Sequence, residues 1–131
     1  MDIEELNNWW ADNLGYQGGL STKQTFEKDD CSLIFVTDPP ADRMRVFVPI
    51  GPLEKFDLKR MLIANFHETL DVEYSVYNNV VCALYKNWLS ELTERSLKEA
   101  IDQVINLTKN TLIYDKYSSG KLSFGGGGVK L

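Results

Sequence analysis

The apolar residues of this chain change their spacing several times, and that change of rhythm limits the folds open to it. Ile3, Leu6, Trp10 and Leu14 recur at helical spacing, so Asp2 to Leu14 reads as a helix, ended by Gly15, Gly18 and Gly19. Trp9 flanks this stripe, either as a cap on the core edge or as an aromatic anchor for a partner. Three strand-like stretches follow. Ser21 to Glu27 alternates weakly, Asp29-Asp30 makes a turn, and Cys31 to Val36 is an apolar run. Asp38-Pro39-Pro40-Ala41-Asp42 reads as a loop, because proline lacks the backbone donor that a regular element needs. Arg43 to Pro49 then alternates, with Met44, Val46 and Val48 on one side and Arg45 and Phe47 on the other. The short connections point to an antiparallel meander.

Gly51-Pro52 breaks the chain, and Leu53 to Thr69 has the length and composition of a helix. Phe56, Ile63, Phe66 and Leu70 define one face, Leu58 and Met61 fall roughly opposite, and Leu62 lies between. A helix apolar over so wide an arc is covered on two sides, one by its own sheet and the other by a second copy of the chain. Asp71 to Tyr77 alternates, Asn78-Asn79 suits a hairpin turn, and Val80 to Tyr85 suits a buried central strand. Thr93 reads as the N-cap of a last helix that turns Leu97, Ala100, Ile101, Val104, Ile105, Thr108 and Leu112 to one side. The order α-β-β-β-α-β-β-α predicts an α+β fold, an antiparallel sheet with helices packed on it.

At 131 residues, with 44% hydrophobic and 25% charged residues, the chain fits one folded domain, read as 1–120, with a mobile glycine-rich tail at 121–131. Fourteen Lys and Arg against nineteen Asp and Glu give a net charge of -5, which repels phosphate backbones and excludes nucleic acid as the expected partner. No apolar run has the length of a membrane helix, and Met1-Asp2-Ile3-Glu4-Glu5 lacks the basic start of a secretory signal. Cys31 and Cys82 are too few for a disulfide framework and read as reduced thiols of a cytoplasmic protein.

No catalytic pattern emerges. His67 and Glu68 are adjacent on a helix and diverge, so they form no dyad, and one histidine supports no histidine-rich metal site. Neither cysteine has a basic neighbour in sequence that would lower its pKa. The acidic pairs Asp29-Asp30 and Asp38…Asp42 do not have calcium-loop spacing, and the glycine tail lacks the Lys-Ser/Thr of a phosphate loop. These readings predict a non-enzymatic chain without metal or cofactor. What remains is binding through an open sheet edge or an apolar face, for which Phe35, Phe47, Tyr74, Tyr77, Tyr85 and Trp88 are candidates.

Several of these segments together carry a resemblance. They are Met61-Leu62-Ile63-Ala64-Asn65-Phe66, the strand Val72-Glu73-Tyr74-Ser75-Val76, the strand Val80 to Tyr85, and Leu92-Thr93-Glu94-Arg95-Ser96-Leu97 opening a long helix. This succession resembles the type III secretion chaperone family, the Tir-chaperone-like fold, and its YbjN-like relatives, over nearly the whole chain to Tyr117. The tail from Lys121 to Leu131 and the Asp38-Pro39-Pro40 loop depart from the family, and the strand register around the loop stays open.

The resemblance implies a small cytoplasmic homodimer that binds the extended N-terminal segment of a secreted effector, keeps it export-competent and uses no cofactor. It places Leu58, Met61, Leu62 and Asn65, with Val80, Cys82 and Leu84 nearby, at the dimer interface. It places Trp9, Ile34, Phe35 and Phe47 on the partner-binding surface. The alternatives are a YbjN-like interaction or regulatory module with no secretion role, and a small-molecule-binding domain.

Overall fold

A reciprocal cap starts the first helix, α1 (Ile3–Leu14). The Asp2 carboxylate accepts the Glu5 N–H at 2.8 Å, and the Glu5 carboxylate accepts the Asp2 N–H at 2.9 Å. Gly15 ends the helix in the left-handed region, at φ 72°, where a side chain would be strained. The computed structural model describes residues 1–15, 22–113 and 117. The glycine-rich tail, Gly18 and Gly19 lie outside the described residues.

Strands β1 (Lys23–Lys28) and β2 (Cys31–Asp38) form a hairpin through Asp29 and Asp30, both at positive φ, as the right-handed strand twist requires of a tight turn. Prolines 39 and 40 sit in one turn of 3-10 helix, and Asp42 then adopts a φ of 57°. The Asp42 carboxylate accepts the Ser90 N–H at 2.7 Å and hydroxyl at 2.6 Å, tying this loop to a distant one. Strand β3 (Arg43–Pro52) runs past the expected stop, absorbing Gly51-Pro52 through a register shift between Pro49 and Gly51. Helix α2 (Leu58–His67) is shorter than the predicted Leu53 to Thr69, because Leu53–Lys55 forms a separate 3-10 turn and Asp57 caps the helix proper.

Strands β4 (Glu73–Tyr77) and β5 (Val80–Trp88) turn at Asn78 and Asn79, both at positive φ. Helix α3 (Glu94–Ile113) starts at Thr93, whose hydroxyl accepts the Ser96 N–H at 3.0 Å. The sheet is fully antiparallel in the order β1-β2-β3-β5-β4. The α+β class and the element order expected from the sequence are those observed.

Helix α3 packs on β3 and β5, and α1 joins it over the same face of the sheet. Trp10, Phe26 and Phe35 meet there with ring centroids 5.3 to 5.7 Å apart, in edge and tilted contacts that favour aromatic pairs. Strand alternation adds Cys31, Leu33, Met44, Val46, Ala83 and Tyr85 to this core. A smaller cluster of Met61, Ala64, Tyr74, Val81 and Tyr117 lies under α2. Leu112, expected on the inner face of α3, is exposed. Thr111 is buried instead, with its hydroxyl 2.7 Å from that of Tyr74.

The two faces of β2 should respond differently to truncation. Phe35→Ala is expected to cost about 3–5 kcal/mol in urea unfolding, whereas Ile34→Ala, one residue earlier on the opposite face, should cost less than about 1 kcal/mol. Equal costs would show that both faces of the strand are packed within one chain.

Candidate partner-binding surfaces

The helices cover one face of the sheet, so alternate residues of every strand point away from them. On this open face the strand register aligns successive rungs. Ile34 of β2 pairs with Phe47 of β3, and Phe47 with Leu84 of β5. One rung further, Pro49 pairs with Cys82, and Val80 closes the far end. Tyr77 of β4 stands edge-on to Phe47, with ring centroids 5.9 Å apart. Phe47, Tyr77, Cys82 and Leu84 line a trough of about 450 Å³ together with Val36 and Val76.

In the other direction the rungs become cationic. Arg45 pairs with Lys86 and Arg43 with Trp88, and the Arg43 guanidinium lies 5.4 Å from the centre of the Trp88 ring. A second trough of about 530 Å³ follows these residues and shares Arg45, Ser75 and Leu84 with the first.

The other exposed apolar surface belongs to α2. This helix lies beside the free edge of β4. The Asn65 side chain accepts the Tyr74 N–H at 2.7 Å and donates to the Tyr74 carbonyl at 2.9 Å, so one amide answers both backbone groups of an edge residue. Met61 and Ala64 point inward, with Met61 only 2% exposed. Successive helical residues rotate by about 100°, so Leu58, Leu62 and Phe66, four apart, form a row on the outer side. Leu62 is 67% exposed, Phe66 83% and Leu70, just beyond the helix, 91%. Ile63, Val76 and Tyr77 are also exposed. Leu58, Met61 and Leu62 border a groove of about 270 Å³ against Val76 and Val81. Patches of this kind mark interaction sites on a folded protein.

The residues singled out in the sequence fall into three environments. Phe35 is fully buried and Trp9 nearly so, both in the core beneath α1 and α3, because alternation sends Phe35 to the covered face. Ile34 and Phe47 share the helix-free face with Val80, Cys82 and Leu84; there Phe47 (8% exposed) and Cys82 (3%) are buried among their strand neighbours, and Ile34, Val80 and Leu84 are partly exposed. Leu58 and Leu62 lie on the outer row of α2, while Met61 and Asn65 are engaged with their own chain. Ile63, Phe66 and Leu70 were not assigned to an interface from the sequence, although the Leu58-Leu62-Phe66 spacing was visible. The cationic rungs Arg43 and Lys86 were also missed, since only register brings them together.

Burial pushes the Cys82 and Cys31 thiols above their ordinary pKa, so neither is an activated nucleophile. Among the described residues, no group of three or more His, Cys, Asp or Glu could hold a metal ion, and no helix is long and apolar enough to cross a membrane.

The architecture is that of the type III secretion chaperones. A chain of the ExsC–ExsE complex superposes with a TM-score of 0.68 at 12% identity, over 85% of this chain and 94% of the other. A chain of the HopA1–SchA chaperone–effector complex gives 0.66 at 11% identity, over 82% and 90%. A chain from the structure of the Yersinia pestis type III secretion chaperone SycH in complex with a stable fragment of YscM2 gives 0.64 at 10% identity, over 82% and 98%. The likeness is one of fold. No protein-family model and no curated protein matches the sequence.

The Asn65–Tyr74 clamp is testable. Asn65→Ala should destabilise the chain by about 1–3 kcal/mol, because it leaves partly buried backbone groups of Tyr74 unanswered. Amide hydrogen exchange should quicken at Tyr74 and not in α3. Unchanged exchange at Tyr74 would mean that the clamp does not hold α2 to the sheet edge.

Proposed function

We propose that this chain is a homodimeric, chaperone-like binding protein that holds an extended segment of another polypeptide and performs no chemistry on it. The observation that carries the reading is the pair of uncovered apolar surfaces. A single chain has helices for one face of its sheet, yet it builds apolar rungs on the other face and an apolar row on the outer side of α2.

The row on α2 suits a second copy. Leu58, Leu62, Ile63 and Phe66 give a self-complementary helix face, and two-fold packing of like surfaces is the commonest way to cover one. Met61 and Asn65 support that surface from behind. The open face suits the client. Ile34, Leu84 and the small exposed part of Phe47 offer side-chain contacts spaced along strands, which an extended segment can match at alternate positions, with buried Cys82 as the floor of the trough and Val80 on the rung beyond it. Trp9 and Phe35 contribute from within, as the core that keeps the sheet rigid.

An unfolded segment loses conformational entropy when it binds, so its host must supply broad apolar contact, and the open face does. The client in this reading is the N-terminal segment of a secreted effector, held in the cytoplasm in a form competent for export. The shared fold with a chain of the HopA1–SchA chaperone–effector complex, and with one from the structure of the type III secretion chaperone SycH in complex with a fragment of YscM2, supports it. The net charge of -5 keeps copies with exposed apolar rows apart from non-specific aggregates.

Light scattering should give twice the 15.0 kDa chain mass at micromolar concentration. Leu62→Asp should give the single-chain mass with an unchanged circular dichroism spectrum, because its site is exposed in the isolated chain. Met61→Asp, by contrast, should unfold the chain, because it buries a charge in the small cluster under α2. A wild-type mass of one chain would refute the dimer.

A further inference from the structure

The open face is polarised along β3 and β5, and the polarity is opposite to that of the chain as a whole. Acidic residues outnumber basic ones, nineteen to fourteen, yet Arg43, Arg45 and Lys86 occupy neighbouring rungs. Among the described residues none of the three is in an ion pair, although Asp38 is the cross-strand neighbour of Arg43 and Glu73 that of Leu84. All three are exposed. Cations gathered on adjacent strands repel one another and destabilise the isolated sheet, so an anionic partner would relieve them.

From Arg43 to Phe47 is four residues of strand, about 13 Å, and over that distance the face turns from cationic to apolar. The two troughs run into each other through Arg45, Ser75 and Leu84. A single extended segment could therefore touch both ends.

Resting on the reading that the chain holds an extended client, we propose that the open face selects a client segment with acidic residues at one end and apolar residues about four positions away. The carboxylates meet Arg43, Arg45 and Lys86, and the apolar side chains meet Phe47, Tyr77 and Leu84. A second copy does not fit the cationic end through its α2, because Leu58–His67 carries Lys59, Arg60 and His67 and no carboxylate, and the flanking Asp57 and Glu68 already accept hydrogen bonds from the Arg60 N–H and the Tyr117 hydroxyl. A nucleic acid would find the cations but would be repelled by the net negative chain, and it has no use for the apolar rungs.

The test uses the full chain and fluorescein-labelled extended peptides read by anisotropy. One peptide has an acidic end and an apolar end, and its counterpart replaces every acidic residue with lysine. The acidic peptide should bind about tenfold more tightly than the lysine peptide, with the gap narrowing as salt rises. The Arg45→Glu/Lys86→Glu double variant should reverse the preference while keeping the wild-type mass in light scattering and its melting temperature. Equal affinity for the two peptides would overturn charge selection and leave the client-binding reading standing. Failure of every extended peptide to bind, acidic, basic or apolar, would overturn both. Displacement of the acidic peptide by a single-stranded oligonucleotide, or conversion of the double variant to the single-chain mass, would also overturn the proposal, in favour of a nucleic acid or a second copy on this face.

Discussion

The position of α2 rests on one side chain reading the backbone of one edge residue. Asn65 supplies the donor and the acceptor that a further strand would have supplied to Tyr74, so the helix lies beside the sheet, not across it. Met61 and Ala64 pack beneath this clamp against Tyr74 and Val81. Had α2 crossed the open face, it would have hidden the rungs of Ile34, Phe47 and Leu84. Instead the chain's own helices leave both the outer row of α2 and the open face uncovered.

The two surfaces differ in chemistry. The outer row of α2 is apolar, with cations and no carboxylate along the helix, and it is suited to meet its own image. The open face is graded from cationic to apolar and has no such symmetry. In the proposed complex such a surface reads direction and charge in an extended partner, and the core of Trp10, Phe26 and Phe35 packs behind it. On that proposal the host is ordered before binding, and the ordering cost falls on the client.

Element types and their order were legible in the sequence, because helical and alternating periods are strong signals and the Asp29-Asp30 and Asn78-Asn79 pairs tolerate positive φ. Facing was less legible. Cys31 to Val36 is apolar at every position but Ser32, so the run could not say that Phe35 enters the core while Ile34 does not. On α2, periodicity separates Met61 from Leu62 but cannot name which side meets the sheet. The Asn65–Tyr74 bonds decide that, and they join residues from different elements. Thr111 displaces Leu112 from the inner side of α3 for a similar reason, since its hydroxyl meets that of Tyr74. The cationic rungs depend on the pairing of β3 with β5, which brings together Arg45 and Lys86 from forty-one positions apart in the chain.

In the proposed dimer, another copy of the chain completes the outer side of α2 and the adjoining edge of β4. Hydrogen–deuterium exchange of the unliganded protein, measured across a dilution series, tests it most directly. Amides of α2 and β4 should be protected at high concentration and lose protection on dilution, while those at the centre of α3 should not change. Protection of α2 and β4 that is the same at every concentration would contradict it.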